Sequence, residues 1–303
     1  MAIEDPAWPR ADRWLASESS DPEVVVVGFP TSVASLSPSR ADLAPARVRD
    51  ALARFSTFHS EWDLDLAGLP VLDAGDLPVD DLTPGDLVEE APSMIDELPE
   101  AAIRLFLGGD NAITRPIVRA SGVTTTGLLT IDAHHDVRSL DRGPTNGTPV
   151  RGLIDDGLPG DRIVQIGIHT FANSKEYRRF CDEAGVLVRT MSDVETAGVE
   201  WVVDEALGHL GARCDRIHVD VDMDVLDRTF APGCPGARPG GMDPRTLFAA
   251  VRRCATDRRV VSLDFVEVDP ERDPDGRTID AMAGAMLSAA AGYAERRAEW
   301  TRS

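Results

Sequence analysis

Lysine is almost absent from this sequence, and positive charge as a whole is scarce. Lys175 is the only lysine, so nearly all of the basic residues are arginine. The 31 basic residues face 52 acidic residues, which gives a net charge of −21 at pH 7. A protein this acidic repels phosphate-rich surfaces. The composition therefore argues against nucleic acid or an anionic membrane as a partner.

The cysteine spacing and the lack of long apolar segments both bear on the cellular location of the protein. The only cysteines are widely spaced and form no CxxC pair: Cys181, Cys214, Cys234 and Cys254. Free thiols are therefore expected rather than a disulfide framework. No stretch reaches the ~18 apolar residues of a membrane span, and the N-terminal segment Met1–Pro6 lacks the basic-then-apolar pattern of a signal peptide. We expect a cytoplasmic protein.

Short apolar segments rich in β-branched residues alternate along the chain with amphipathic segments. This alternation predicts a mainly parallel sheet of about eight strands, covered by helices on both faces. The predicted strands are Glu23–Phe29, Pro70–Leu72, Ile103–Leu107, Gly127–Ile131, Arg162–Ile168, Gly185–Arg189, Arg216–Val221 and Val260–Phe265. The predicted helices include Ala44–Phe55, Ser174–Ala184, Trp201–Leu210, Pro244–Ala255 and Ile279–Trp300.

The chain shows no Ser/Gly-rich linker and no internal repeat, so we interpret residues 1–303 as one domain. The expected fold class is α/β, a single-domain three-layer sandwich around the central sheet. The least regular region is Asp73–Pro99, which is rich in proline and acidic residues. We expect it to be a surface excursion.

Two short segments place acidic or imidazole side chains at every second position. They are Asp132, His134 and Asp136 in the first segment, and Asp220, Asp222 and Asp224 in the second. In an extended chain such positions share one face, so each segment projects its groups to one side. Four or more converging carboxylates repel one another unless a divalent cation neutralises them. This oxygen-rich donor set favours an ion such as manganese over a zinc-thiolate site.

The alternative interpretation is that acidic residues are simply abundant and lie on solvated strand edges. Against it, the two acidic segments follow the strongly apolar Gly127–Ile131 and Arg216–Val219, and buried strands seldom end in carboxylates by accident. Ligands of parallel α/β sheets bind beyond the carboxyl ends of the strands. Four such ends carry candidate residues: Gly108–Asp110, Asp132–Asp136, Asp222–Asp227 and Glu267.

Taken together, these segments resemble the motifs of the ureohydrolases, the arginase and agmatinase superfamily of binuclear manganese enzymes. Leu107–Asn111 is similar to the family's Gly-Gly-Asp-His, and Asp132–Asp136 fits Asp-Ala-His-x-Asp. Asp222–Asp227 fits Asp-x-Asp-x-x-Asp, and Val266–Pro270 resembles the final substrate-binding motif. The resemblance extends from the first strand to the last helix and implies an arginase-like fold with two manganese ions per subunit.

The resemblance also implies a role for each matching residue. Asp132 and Asp222 would bridge the two ions, Asp136 would bind the first ion, and His134 and Asp224 would bind the second. A water molecule held between the ions would become hydroxide and attack the substrate carbon, and Asp136 would move a proton to the departing nitrogen.

Outside the metal ligands, the same resemblance places Glu267 at the cationic end of a guanidine or amidine. Its alternative is a solvated surface carboxylate after a strand. Asp227 is expected to form a turn, and Asp220 to lie behind the ligands without a ligand counterpart in the family. A hydrogen-bonded core role is expected for His218.

At two positions the sequence departs from most of the family. Asn111 stands where most members have a metal-binding histidine; an amide oxygen can bind a hard cation, but less well than imidazole binds manganese. The alternative role for Asn111 is a helix N-cap. Asn146 stands where most members have a proton-shuttling histidine, and an amide cannot relay a proton near neutral pH. These departures leave open a non-catalytic metal-binding homologue.

The residues after Asp136 point to the substrate. Arg138 and Arg142 are cations beside a strongly acidic site, and arginine suits a carboxylate but repels the amine tail of agmatine. An ion pair of Arg138 with Asp141 is the alternative. These strings look most like formimidoylglutamases, which implies hydrolysis of N-formimidoyl-L-glutamate to L-glutamate and formamide. The other candidates are agmatinase and guanidino-acid hydrolase. The resemblance also implies a homo-oligomer, a trimer or hexamer.

Overall fold

The structure, a computed structural model, describes residues 5–302, with side chains described through residue 298. Residues 1–4 of the N-terminal segment lie outside the described residues. The strands are β1 Val24–Phe29, β2 Phe58–His59, β3 Leu64–Asp65, β4 Val71–Asp76, β5 Ile103–Gly108, β6 Thr126–Ile131, β7 Ile163–Ile168, β8 Leu187–Thr190, β9 Arg216–Asp222 and β10 Val260–Val266. The helices are α1 Ala11–Leu15, α2 Ala44–Ala51, α3 Pro84–Asp96, α4 Thr114–Ser121, α5 Pro149–Asp155, α6 Lys175–Ala184, α7 Met191–Ala197, α8 Val199–Gly211, α9 Pro244–Ala255 and α10 Arg277–Arg302.

Eight of the strands form one sheet in the order β4-β1-β5-β10-β9-β6-β7-β8. Every pairing within this sheet is parallel. Parallel strands need crossover connections, and the helices that supply them cover both faces. The predicted three-layer α/β fold is therefore confirmed.

The side chains of each strand alternate between two apolar layers. In β1, Val24 and Val26 contact the layer that contains α2, α8, α9 and α10, whereas Val25 and Val27 contact the layer that contains α3 and α4. A third apolar cluster packs α5 and α6 against β6 and β7. This alternation follows from the two-residue period of an extended chain. Because both faces are covered, whole strands such as β1 and β6 are buried.

All eight predicted strands of the sheet are present, with ends shifted by a few residues. The predicted helix Pro244–Ala255 is found with the same bounds, and Ala44–Phe55 is shortened to α2 followed by a 3₁₀ turn, Leu52–Arg54. The two-stranded hairpin of β2 and β3 was not predicted, because strands of two residues carry no periodicity.

The region Asp73–Pro99, which is the least regular in the sequence, contains more regular structure than its composition suggests. Its first residues complete β4, and Pro84–Asp96 forms α3. Thr83 caps this helix: its hydroxyl accepts from Asp86 N, and the Asp86 carboxylate accepts from Thr83 N, a reciprocal capping box. The apolar face of the helix is buried against the sheet, through residues that include Leu87 and Ile95.

The remaining global features agree with the composition. The four cysteines are buried and free. No helix within the described residues has the length and hydrophobicity needed to cross a bilayer. The carboxyl ends of β5, β10, β9 and β6, four neighbouring strands, lie at one edge of the sheet. This edge collects the candidate residues.

Candidate metal centre

The two acidic segments lie side by side because β6 and β9 are neighbours in the sheet. Ile131, the last residue of β6, pairs with Val221 of β9. Asp132 and Asp222 are the next residues in each segment, so their carboxylates start from adjacent points on the edge of the sheet. Both are nearly inaccessible to solvent. The alternative of solvated strand edges is therefore excluded for this pair.

Each of these aspartates turns the chain that follows it. Asp132 Oδ1 accepts a hydrogen bond from His134 N at 2.6 Å, and Asp222 Oδ1 accepts one from Asp224 N at 2.8 Å. These local turns replace strand geometry and fold the third residue of each motif back toward the first. As a result, ligand atoms of Asp132, His134 and Asp224 lie within 4.8 Å of one another.

His134 is the only basic group at the centre of this cluster within the described part of the chain. Its Nδ1 lies 2.9 Å from Asp224 Oδ2 and 3.6 Å from Asp132 Oδ1. The negative charge of Asp224, more than any other cause, raises the pKa of His134 to about 12. Burial acts against ionisation of Asp224, but the charge of His134 outweighs it and lowers the pKa of that carboxyl.

For the other carboxyl groups, burial and neighbouring carboxylates outweigh any attraction to His134. Burial, together with the charge of Asp224, raises the pKa of Asp132 to about 6. Burial and neighbouring carboxylates raise the pKa values of Asp136 and Asp222 well above the usual range. Several buried carboxylates with one imidazole therefore form a site with an excess of negative charge, as a pair of divalent cations requires. The donor atoms fit manganese, which accepts carboxylate, amide and imidazole ligands.

Asp136 sits opposite Asn111 at the end of β5. Asn111 Nδ2 donates to Asp136 Oδ2 at 2.6 Å, and both side chains are buried. Asp136 adopts a left-handed backbone conformation with φ +53°, as Glu267 does with φ +69°. Such a conformation costs a residue other than glycine about 1–3 kcal/mol. Two strained acidic residues at one site agree with a functional constraint on their direction.

Asn111 is not a helix cap, which was its alternative role. The cap of the turn Asn111–Ile113 is Asp110, whose Oδ1 accepts from Ala112 N at 3.1 Å. The second oxygen of Asp110 accepts from Ala34 N at 3.0 Å and fastens the loop after β1. The side chain of Asn111 is therefore free of any capping duty and faces Asp136.

Glu267 lies beside this pair and is held by two donors. Its Oε1 accepts from Asn111 N at 2.7 Å and from Asn146 Nδ2 at 2.9 Å. Asn146 Oδ1 in turn accepts from Leu36 N at 3.1 Å. Burial, followed by the charge of Asp110, raises the pKa of Glu267 to about 8. Glu267 is 7% exposed, so it is not the solvated surface carboxylate of the alternative interpretation.

A pocket of about 210 Å³ opens above these groups. Its lining includes the candidate residues His134, Asp136, Arg138, Asn146, Asp222, Asp224 and Glu267. Asn111 and Asp132 lie beneath it, and Arg142 is not part of the lining. Arg138 is exposed at the mouth, and no ion pair to Asp141 or to any other described residue holds it. Its charge is available to a ligand.

Arg238 and Asn173 are among the pocket residues that sequence reasoning missed. Arg238 lines the mouth, and its Nη1 donates to the carbonyls of Gly236 and Ala237 at 2.9 and 3.0 Å. Asn173 lies beside the site; it accepts from His135 N and donates to the carbonyl of Ala133, both at 2.9 Å. Only the position of Arg238 in the glycine-rich loop after β9 gave a signal, and Asn173 gave none.

The glycine-rich loop after β9, residues 231–241, packs directly against the candidate ligand Asp224. A Cβ on Gly236 would lie 2.0 Å from Asp224 Oδ2, so only glycine permits this approach. Asp227 shapes the same loop, because its carboxylate accepts from Thr229 N at 2.8 Å and from Gly240 N at 2.7 Å. The prediction that Asp227 forms a turn is confirmed.

Behind the candidate ligands lies a second buried polar group. His218 Nδ1 lies 2.8 Å from Ser262 Oγ, and its Nε2 lies 3.2 Å from Asp264 Oδ2. The predicted hydrogen-bonded core role of His218 is confirmed. Asp220 lies next to Asp264, and burial with the charge of Asp264 raises the pKa of Asp220 well above the usual range. Asp220 therefore lies behind the candidate ligands, as the sequence predicts.

The sequence profile of the arginase family matches residues 22–292. A formimidoylglutamase of Halalkalibacterium halodurans is 43% identical, covering 87% of this chain and 85% of that protein. A guanidinopropionase of Pseudomonas aeruginosa is 32% identical, covering 88% and 84%. The crystal structure of a Bacillus subtilis formimidoylglutamase matches with a TM-score of 0.86 at 32% identity, covering 96% of this chain and 94% of that chain. A Trypanosoma cruzi formiminoglutamase solved with Mn²⁺ shares the fold, with a TM-score of 0.82 at 22% identity over 95% and 99%.

Proposed function

The chain belongs to the arginase family, and we propose that it hydrolyses N-formimidoyl-L-glutamate to L-glutamate and formamide. The observation that carries the proposal is the pocket itself. Buried carboxylates and His134 form its floor, Glu267 forms its wall, and Arg138 and Arg238 stand at its mouth. The similarity to formimidoylglutamases at 43% and 35% identity supports the same substrate.

Manganese is the cofactor that the donor set favours, with two ions per subunit. Asp132 and Asp222 would bridge them. Asp136 and the amide oxygen of Asn111 would hold the ion at the first metal position, and His134 and Asp224 would hold the ion at the second. When bound, the ions would supply the nucleophile by lowering the pKa of a water molecule between them.

The protein's own residues bind the amidine and move the proton. Glu267 Oε1 is already held by Asn111 N and Asn146 Nδ2, so Oε2 remains for the cationic amidinium group. Asp136 is the proton carrier: its carboxylate takes a proton from the attacking water and gives it to the amine nitrogen of the departing glutamate. Asn146 keeps Glu267 in place and transfers no proton. The C–N bond then breaks and formamide leaves.

The arginines at the mouth select for an acidic substrate. Formimidoylglutamate carries two carboxylates, and the pocket offers Arg138 on one loop and Arg238 on another. Arg238 is preorganised, because backbone carbonyls fix its Nη1, whereas its other side-chain nitrogens donate to none of the described residues. A charge-assisted bond to a carboxylate is worth roughly 1.5–3 kcal/mol, or about 10- to 150-fold in specificity constant.

A substrate panel on manganese-loaded protein tests the proposal. We expect turnover of formimidoylglutamate with release of formamide, and much weaker activity on arginine, agmatine and guanidinobutyrate. Arg138→Ala and Arg238→Ala should each lose about 10- to 150-fold in kcat/KM on formimidoylglutamate while retaining their metal. Arg142→Ala, an arginine outside the pocket, is the matched control.

The alternatives predict different results in the same panel. A guanidino-acid hydrolase would release urea from guanidinobutyrate, and an agmatinase would release urea from agmatine. A non-catalytic homologue would bind manganese and release nothing. Preference for any substrate without a carboxylate would overturn the proposal. The homo-oligomer implied by the family resemblance, a trimer or hexamer, is to be measured by light scattering on the same sample.

A further inference from the structure

A chain of buried polar side chains runs from Asp136 into the interior of the sheet. Asn111 contacts Asp136, and Thr114 Oγ1 lies 2.8 Å from Asn111 Oδ1 and 2.9 Å from Asp264 Oδ2. Asp264 Oδ2 also lies 3.2 Å from His218 Nε2. Thr114, Asp264 and His218 have no solvent exposure. None of these three has a role in the proposed reaction.

The number of available hydrogens limits how these buried side chains can be hydrogen-bonded to one another. Thr114 has one hydroxyl hydrogen but two acceptor oxygens within hydrogen-bonding distance, one on Asn111 and one on Asp264. If the hydrogen goes to Asn111, the Thr114 oxygen faces a carboxylate oxygen of Asp264 with no hydrogen between them. If it goes to Asp264, the Thr114 oxygen can only accept from Asn111. The group of Asn111 that faces Thr114 must then be the NH₂.

The second arrangement turns the amide oxygen of Asn111, in place of its NH₂ group, toward Asp136 Oδ2, and a cation at the first metal position would compensate the contact between these two oxygens. The contacts of Asp264 favour this arrangement. Asp264 Oδ1 has no hydrogen-bond partner, so Oδ2 is the oxygen on which this buried carboxylate collects its donors. Thr114 Oγ1 and His218 Nε2 are the groups that contact this oxygen, and His218 Nδ1 contacts Ser262 Oγ in turn. A 180° rotation about Cβ–Cγ of Asn111 exchanges its amide nitrogen and oxygen with almost no movement of other atoms.

We propose that Thr114, held by Asp264, is a positioning residue that turns the amide oxygen of Asn111 toward Asp136 and into the first metal position. The inference rests on the proposed function only in taking that position to hold a cation. An amide presents either a ligand atom or a repelling NH₂ group to a cation, whereas both nitrogens of an imidazole can serve as ligands. Asparagine at this position therefore needs a neighbour that fixes its orientation.

Metal titration of a Thr114→Val variant tests this inference without any substrate. Valine keeps the shape of threonine but removes the hydroxyl, so the amide is no longer fixed. We expect the first metal position to bind Mn²⁺ about 10- to 100-fold more weakly, the usual cost of losing a group that orients a ligand. The second position should be unchanged. Electron paramagnetic resonance of free Mn²⁺ measures both affinities, and Thr114→Ser, which keeps the hydroxyl, is the matched control.

Two more variants keep the test decisive. In Asp264→Asn, the new amide can donate to Thr114 and send the threonine hydrogen to Asn111, so the first position should weaken although the hydroxyl remains. This variant serves if Thr114→Val fails to fold. In an Asn111→His background, the Thr114→Val change should have no effect on Mn²⁺ affinity, because imidazole does not need the hydroxyl.

The outcomes separate this inference from the proposed function. Parent-like Mn²⁺ affinity at both positions in folded Thr114→Val and Asp264→Asn would overturn the inference, and it would indicate that a proton on Asp264 satisfies Thr114 instead. The parent protein's turnover of formimidoylglutamate is a separate measurement. If the parent binds two ions but releases no formamide, the proposed function fails and the positioning role of Thr114 is still measurable.

Discussion

Asp222 and Asp227 belong to one short segment but have different surroundings. Substituting each of them separately tests which aspartate binds the metal. Asp222 is buried next to Asp132 and Asp224. Burial and the negative charges of these neighbours raise its pKa well above the usual range. Asp227 is partly exposed, and its carboxylate accepts hydrogen bonds from backbone N–H groups of the loop. The first should matter to the metal and the second to the loop.

We therefore expect Asp222→Ala to lose bound manganese and all activity. The substitution removes one ligand from both ions while the remaining carboxylates still repel one another. Asp227→Ala, the matched control, should keep most of its metal, because only turn hydrogen bonds are lost. Elemental analysis after dialysis measures the metal content of both variants. Full occupancy in Asp222→Ala would contradict the bridging role.

At the same scale, the sequence predicts a candidate residue well when its position follows from strand alternation. Asp132, Asp222 and Glu267 were placed at strand ends by apolar runs followed by acids, and the structure brings them together. Thr114 and Arg238 could not be found this way. Thr114 contacts Asp264 across 150 positions of sequence, and such contacts depend on the packing of the whole sheet rather than on a local pattern.

At the scale of secondary-structure elements, the parallel strands were predicted from the sequence, whereas helix α3 was not. Strands buried on both faces, such as β1, β6 and β7, contain continuous apolar runs that are visible in the sequence. Helix α3 was hidden because it contains Pro92 and many acidic residues, which suggested a loop. Its signals were the capping pair Thr83 and Asp86 and the four-residue spacing of Leu87, Ala91 and Ile95. Tertiary packing outweighed the low helix propensity.

Helix α3 supports a stability prediction that does not involve the metal. Leu87 is fully buried in the layer between α3 and the sheet, so Leu87→Ala should lower the free energy of unfolding by about 2–5 kcal/mol. The exposed Glu90 on the same helix is the matched control, and Glu90→Ala should change stability by less than about 0.5 kcal/mol. Denaturant unfolding measures both. A parent-like midpoint for Leu87→Ala would show that α3 does not pack as described.

At the scale of the whole molecule, the protein carries a large negative charge. A cluster of buried acidic residues lies at one edge of its sheet. The net charge is −21, yet the proposed substrate is also an anion. Arg138 and Arg238 at the pocket mouth are therefore the local attraction that an anionic ligand meets. Manganese adds positive charge to the floor of the same pocket. Metal loading should thus strengthen both protein stability and the attraction for substrate.

The effect of metal on stability should depend on pH in a defined direction. In the structure, the pKa of Glu267 is raised from 4.5 to about 8, that of Asp132 from 3.8 to about 6, and that of His134 from 6.5 to about 12. The folded protein therefore binds more protons than the unfolded protein at Asp132 between about pH 4 and 6, at Glu267 between about pH 4.5 and 8, and at His134 above about pH 6.5. Stability of chelated protein falls as pH rises through these ranges, because the unfolded state binds fewer protons.

Manganese reverses this dependence, because cations replace the protons on these groups and bind more tightly as pH rises. We expect the difference in Tm between manganese-loaded and chelated protein to widen steadily from pH 6 to pH 8.5, as scanning calorimetry can measure. Glu267→Gln removes one of the titrating groups without removing a proposed ligand, so its chelated form should lose less stability over the same range. A Tm difference that stays constant with pH, in the parent and in Glu267→Gln alike, would contradict the proton-for-metal exchange on which the proposed centre depends.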